Sequence, residues 1–381
     1  MSLPSYQKAA VIEGTELVIK KNAFIPSFEK NEVLVKVIAA SVNPTDWKHI
    51  DYGSGKTQGS VSGCDYAGII VSMGEEVEAK GDLNLGDHVY GVVHGSSLER
   101  RNNGAFAEFV AASPLVLIKA AKPLKTIAKG QENIPSGPVE TFEGASTLGV
   151  ALTTIAITFS YYFKFDFSKK PLEDDFLLIW GGSSSVGQIA LQFAKIYGIK
   201  VIVVASAKNH HHLKSLGADH LVDYHDADAV EQIKALGKNH IKFGFDTISL
   251  PQTNQKVHSA VSENATTNSL LPFNPKDLED YRSDVDITVT LAYLAWGKNT
   301  KVPFPWMETD ENGAAVSNPG FPEACKTFFK VASKALNEGS VKHIPITVLP
   351  KGLNSLNEAF DLLRHDKISS GKLTVRIEDS A

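Results

Sequence analysis

Apolar and polar positions fall into two regimes along the chain. Over the first third, short β-branched runs at 7–11, 17–20, 32–40, 69–72, 85–91 and 104–110 are cut by turn residues such as Glu13-Gly14 and Ile25-Pro26. That punctuation predicts a β-rich N-terminal domain. From Phe176 the pattern changes to unbroken apolar runs, Phe176-Leu-Leu-Ile-Trp180 and Lys200-Val-Ile-Val-Val-Ala205, with an apolar-faced helix over 189–195 between them. Strands apolar on both sides belong to parallel sheets covered by helices, so this stretch predicts a βαβ unit. The runs 220–224 and 241–246 continue it, and 284–294 alternates as a further strand. The tail, with helices at 322–337 and 355–364 and strands at 343–349 and 372–377, is expected to return to the first domain.

One stretch, 144–163, carries no charged residue, and ~20 apolar residues can span a bilayer. Its Thr, Ser and Gly content predicts instead a buried helix over 148–161 between two domains, and no membrane partner is expected. Segments 120–138, 164–171 and 299–321 read as loops.

Between the first unbroken strand and its helix stands Gly182-Ser183-Ser184-Ser185-Val186-Gly187. This is the G-x-G-x-x-G signature of a dinucleotide-binding turn, with serine at the middle glycine. Small residues let the backbone approach a pyrophosphate, and the helix N-terminus offers amide donors and a favourable dipole. Ser184 meets the size limit loosely and adds a hydroxyl that could bond a phosphate oxygen. Sites for NAD place an acidic residue ~20 positions further on. Here the second strand ends Ala205-Ser206-Ala207-Lys208, with no carboxylate at its tip. Ser206 and Lys208 suit a 2′-phosphate, so NADPH is the expected cofactor and NADH the alternative.

Length and composition narrow the class. At ~150 residues per domain, 381 residues suggest two domains, or three. A formal charge of −5 without a basic cluster argues against nucleic acid as a partner. Cys64 and Cys325 are too few and too far apart for a disulfide framework, and they suit a reducing compartment. The opening residues have neither an apolar signal core nor an arginine-rich presequence, so a cytoplasmic location is expected. No internal repeat is found.

The motifs Asn43-Pro44-Thr45-Asp46, Gly63-Cys64-Asp65-x-x-Gly68, Gly86-Asp87-x-Val89, Gly104-x-x-Ala107-Glu108 and the nucleotide turn follow one another at characteristic spacings. In this the chain resembles, over nearly its whole length, the medium-chain dehydrogenase/reductase superfamily. It is most similar to the fungal zinc-lacking members, quinone-oxidoreductase-like and trans-acting enoyl-reductase-like, beside a yeast aldehyde-reductase group. The resemblance implies an α/β fold: a GroES-like β-rich catalytic domain over 1–147 and 322–381, and a Rossmann doubly wound parallel-sheet domain over 148–321. It implies Thr45 and Lys48 beside the cofactor, with Lys48 neutralising phosphate or ribose or protonating the product. Asn43 and Tyr52 would hydrogen-bond the acceptor oxygen, and Tyr224 would pack near the adenosine phosphate. Thr153 or Thr154, Ser249, Leu250 and Ser370-Gly371-Lys372 would line the cleft. Loops such as 291–304 would form the acceptor pocket, and the strand in 284–294 would pair with a second subunit in a homodimer.

Zinc-dependent relatives carry Cys where this chain has Asn43, and Gly-His-Glu where it has Gly63-Cys64-Asp65. A structural zinc site in this family uses four cysteines, and the chain has two. His210-His211-His212 diverge at a helix start and are expected as a solvated face. No zinc is expected. Without that Lewis acid, hydride addition to an enone, enal, enoyl thioester or quinone is favoured, because such a small-molecule substrate carries the charge on its own oxygen. Aldehyde reduction is the second enzymatic reading. A third, of another class, is a crystallin-like cofactor- or RNA-binding protein with little turnover, against which the acidic charge speaks.

Overall fold

The computed structural model describes residues 3–53, 55–172, 174–302 and 309–380. Phe304, at the far end of the expected acceptor loop, lies outside them. The chain divides into two units, Met1–Thr153 with Tyr293–Ala381, and Thr154–Ala292. The chain therefore re-enters the first unit at Tyr293 rather than at 322. The reason is local: Tyr293 hydrogen-bonds Thr45 and stacks on His94, and Thr300 bonds Glu99, all within that unit.

In the second unit, β1 (Phe176–Trp180), β2 (Lys200–Val204), β3 (His220–Val222), β4 (Ile241–Asp246), β5 (Thr266–Ser269) and β6 (Asp286–Val289) form one sheet. Their order is β3-β2-β1-β4-β5-β6, and every neighbouring pair is parallel. Phe176, Leu178 and Trp180 join Ile202 and Val204 in a core with Ile233 and Val257, from the helices Ala229–Gly237 and Pro251–Ala260. Leu177 and Ile179, on the other face of β1, are fully buried too. Burial on both faces is why β1 reads as an unbroken apolar run. Strand order reverses between β1 and β4, and in such sheets ligands bind beyond the carboxyl ends at that switch.

The first unit is built on an antiparallel core. Strands Leu117–Lys119, His88–Val92, Asp65–Met73, Val33–Ser41, Lys372–Arg376, Ile346–Leu349 and Asn133–Ile134 lie in that order, and Phe109–Ala112 pairs with Val33–Ser41 as well. Lys372–Arg376 runs antiparallel to Val33–Ser41, so the tail does close on the N-terminal sheet. Val35, Tyr66, Ile70, Phe106, Phe360 and Val375 fill the space beneath. Two details differ from expectation. Gly104 to Phe106 do not extend a regular strand; Ala105 and Phe106 donate to Gly63 and Ser62, and a Cβ on Gly104 would stand 2.4 Å from the Val61 carbonyl. The 120–138 segment also contains the short Asn133–Ile134 strand.

The helix Phe142–Tyr162 is long and apolar enough to cross a membrane by length and composition, and 94% of its apolar window is buried inside the fold. It is α-helical over Gly149–Ile155 and continues as a π-helix over Ala156–Tyr162. Both cysteines are free and buried.

Candidate active site

In the second unit the turn after β1 is set by close approaches. Gly181 has φ +80°, and a Cβ there would meet Thr247 and Ile248 at 2.6 Å. A Cβ on Gly182 would fall 2.0 Å from Val203 Cγ1, and one on Gly187 would fall 2.5 Å from the Gly181 carbonyl. The left-handed residue is thus Gly181, one position before the segment the signature marks.

Ser184 caps the helix Ser185–Tyr197, its Oγ accepting from the Gly187 amide at 2.9 Å. Its hydroxyl also meets Thr247 Oγ1 at 2.8 Å. Thr247 has a single hydrogen, which goes to the Trp180 or Gly181 carbonyl, so it is Ser184 that donates between the two. The Ser184 hydroxyl is therefore taken up inside the turn. Its neighbour differs: Ser185 Oγ is buried with no hydrogen-bond partner. The amides of Ser185 and Val186, in the first turn, have no acceptor within the helix. Ser183 contributes its carbonyl, which accepts from Gln188 Nε2. An orphan hydroxyl and open amides around a close-packed glycine turn fit the diphosphate of a dinucleotide.

At the β2 tip Lys208 is exposed and Ser206 half-exposed. One feature was missed in the sequence. Asp223, just past β3, reaches the same tip, accepting from the Ala207 amide at 2.8 Å and meeting His225 Nδ1 at 2.7 Å. The amides of His225 and Ala207 hold this carboxyl down to about 2. The residues at the end of β2 carry no acid of their own, and this one arrives from the next strand. Tyr224 is 44% exposed, its ring 4.1 Å from that of His225.

Beyond β4, Ser249 has φ +60° and its hydroxyl donates to the Asp246 carbonyl while accepting from the Leu270 amide, a structural use. Leu250 beside it is 45% exposed, and Thr154 is buried. The three histidines diverge as expected but are not simply solvated: His210 donates to the Ala205 carbonyl and His212 meets Gln188 Oε1, leaving His211 exposed. A second hollow of about 590 Å³, lined by Asn239, Ser262, Asn264 and Arg282, lies at the amino ends of β4 and β5, away from the turn.

In the first unit a buried polar cluster gathers around the helix Pro44–Asp51. Asn43 precedes it, and its side-chain amide donates to Asp65 Oδ2 at 3.0 Å. Asp65 accepts also from the Val150 amide and the Lys372 ammonium, which donates on to the Thr147 carbonyl. Lys372 thus neutralises a buried carboxylate. Ser370, two residues before it, is half-buried with φ +58°.

Asp46 accepts from the Asn43 amide at 2.7 Å through Oδ2 and is hydrogen-bonded by the Cys64 thiol; burial raises its carboxyl to about 7. Thr45 Oγ1 lies 2.5 Å from Tyr293 Oη, and Tyr293 Oη lies 3.5 Å from Cys64 Sγ. Burial pushes the Cys64 thiol and the Tyr293 phenol well above their ordinary values, so both stay protonated. His49, lowered to about 4 by burial, and His94 pack edge-on and face-on against Tyr293.

The expected donors stand apart from this cluster. Lys48 lies 5.7 Å from the Trp47 ring centroid, its ammonium lowered by burial. Tyr52 is 40% exposed at the end of the helix. Tyr293, His49 and His94 were not singled out from the sequence, because nothing local marks a tyrosine 248 positions from the threonine it binds.

The donor set does not fit a zinc ion. Asn43 and Lys372 present N–H groups to Asp65, and among the described residues no three His, Cys, Asp or Glu side chains converge.

Two family models match the chain, the alcohol dehydrogenase GroES-like domain over residues 29–122 and the zinc-binding dehydrogenase domain over 185–270. An uncharacterized protein of Saccharomyces cerevisiae is 40% identical over 381 residues, 98% of each chain. A trans-enoyl reductase of Cochliobolus carbonum is 33% identical over 297 residues, 77% of this chain and 92% of that one. In fold, the quinone oxidoreductase of Coxiella burnetii is similar with TM-score 0.66 at 22% identity, over 97% of this chain and 98% of that one.

Proposed function

The chain belongs to the medium-chain dehydrogenase/reductase superfamily, and from that premise we propose that it is an NADPH-dependent, zinc-independent reductase of activated C=C bonds or quinones. That it is an NAD(P)H-dependent oxidoreductase follows from the family; the acceptor and the phosphate on the cofactor are the proposal. When bound, a reduced nicotinamide supplies the hydride. In the second unit, the Ser185 and Val186 amides and the Ser185 hydroxyl would hold the diphosphate, with Ser206 and Lys208 toward a 2′-phosphate; the Asp223 carboxylate at the same tip is already engaged by the Ala207 and His225 amides.

One observation carries the choice of acceptor. The buried cluster offers neutral hydroxyl donors, Thr45 and Tyr293, while its one paired carboxylate is already neutralised by Lys372. Neutral donors suffice when the substrate spreads the developing charge onto its own oxygen, as an enone, enal, enoyl thioester or quinone does. An unactivated carbonyl needs a stronger electrophile at the same point. The likeness to a trans-enoyl reductase supports the same reading.

The test is reduction of an enal with product analysis. Saturated aldehyde is expected, and unsaturated alcohol as the sole product would replace this reading with aldehyde reduction. Lys208→Glu should weaken NADPH binding about tenfold or more, the loss of one charge-assisted contact, and leave NADH binding nearly unchanged. Equal affinity of the native chain for the two cofactors would refute the preference.

A further inference from the structure

We propose that the carbonyl oxygen of the acceptor is bound by the Tyr293 hydroxyl, held in place by Thr45, at the wall of a groove in the first unit. The inference rests on the reductase reading above and adds to it the group that receives the developing negative charge.

The direction of the hydrogen bonds makes the phenol a donor. His49 Nδ1 lies 2.7 Å from the Thr45 carbonyl, which can only accept, so Nδ1 carries the hydrogen. The same nitrogen is 3.3 Å from Thr45 Oγ1, where it can therefore only donate. Thr45 keeps its own hydrogen, which it can give to Tyr293 Oη at 2.5 Å. With one lone pair occupied by Thr45, the phenol has its own hydrogen to give.

That hydrogen has only a poor resting place. Among the described residues the remaining polar contact of Tyr293 is Cys64 Sγ at 3.5 Å, and a protonated thiol is a weak acceptor. A substrate oxygen would displace it at little cost, and an oxygen gaining charge would bind more strongly still. The raised phenol keeps the group protonated at any working pH, so it acts as a fixed donor rather than a base.

Packing holds the Tyr293 ring in place. The Tyr293 ring stacks on His94 with centroids 4.0 Å apart and planes 21° apart, and His49 abuts it edge-on. Tyr293 and His94 line a groove of about 1070 Å³, with Val93, Leu115 and Trp296 among its apolar walls. Charged residues, among them Glu32, Glu99 and Arg100, line the groove as well, and a small unsaturated carbonyl compound can lie on the apolar stretch with its oxygen toward Tyr293. After hydride reaches the β-carbon, the C=C π pair moves toward the α-carbon and carbonyl, and the charge comes to rest on the oxygen facing Tyr293. A proton from solvent then completes the α C–H bond.

The full chain should be titrated with 4-nitrophenol, whose phenolate is an enolate mimic read by visible absorbance. The native protein is expected to bind and shift the phenolate band. Tyr293→Phe, which retains the ring stacking, should bind about 10–100-fold more weakly, the loss of a hydrogen bond to a charged oxygen. Thr45→Val, which keeps side-chain volume, should bind several-fold more weakly and shift the band less. Equal affinity in either variant, or no saturable binding by the native chain, overturns the assignment. In parallel, Tyr293→Phe should lower kcat for enal reduction about 100-fold with the KM for NADPH unchanged. A native chain that reduces neither enals nor quinones would remove the reductase reading, while the phenolate titration would still decide the role of Tyr293.

Discussion

Replacing Lys372 by methionine tests the electrostatic anchor on which the Asn43–Asp51 segment rests. Lys372 is 4% and Asp65 0% exposed, so neither charge has water to fall back on. At ~3 Å and an effective dielectric of about 20 such a pair attracts by roughly 5 kcal/mol. Desolvation offsets much of that, and the intact pair contributes little beyond an equivalent apolar contact. Removing one partner is another matter. In Lys372→Met the Asp65 carboxylate would keep only the neutral donors Asn43 Nδ2 and the Val150 amide. The expected cost is about 3–5 kcal/mol, seen by calorimetry as a fall of roughly 10 °C in the melting of the first unit. The double variant Asp65→Asn/Lys372→Met should recover most of the loss, since no buried charge is then left alone. A single variant that loses less than ~1 kcal/mol, or a double variant as unstable as the two singles summed, would refute the argument.

Three further outcomes follow from the same reasoning. Ser184→Ala should cost about 1 kcal/mol in urea unfolding, the usual loss of a helix N-cap. Ser185→Ala should leave stability within a few tenths of a kcal/mol and weaken dinucleotide binding several-fold, because its orphan hydroxyl supports nothing in the fold. Asp46 provides a pH test: burial raises its carboxyl to about 7 in the folded chain. The native state therefore holds a proton that the unfolded chain releases from about pH 4, and stability contributed by the neutral acid is lost as pH rises toward 7. Asp46→Asn should thus gain roughly 1–3 kcal/mol on the native chain at pH 8 relative to pH 4.5; a difference independent of pH, measured by denaturant titration at both, would refute it.

What could be read from residues alone was whatever is local in the chain. The βαβ unit announced itself because a strand buried on both faces must be apolar at every position, as Phe176 to Trp180 are. The turn after it was visible because close backbone approach admits few residue types. Even there, a one-dimensional pattern could not say which serine caps the helix and which stays open, since that depends on Thr247 arriving from β4.

Sequence by itself determined the two-part α/β architecture, the parallel sheet and the location of the nucleotide turn, because periodicity and small-residue spacing are properties of contiguous segments. Tertiary structure alone decided the polar chemistry. It brought Tyr293 to Thr45, Lys372 to Asp65 and Asp223 to the β2 tip. Hydrogen bonds and ion pairs act over about 3 Å, and only folding brings residues so far apart in the chain within that range.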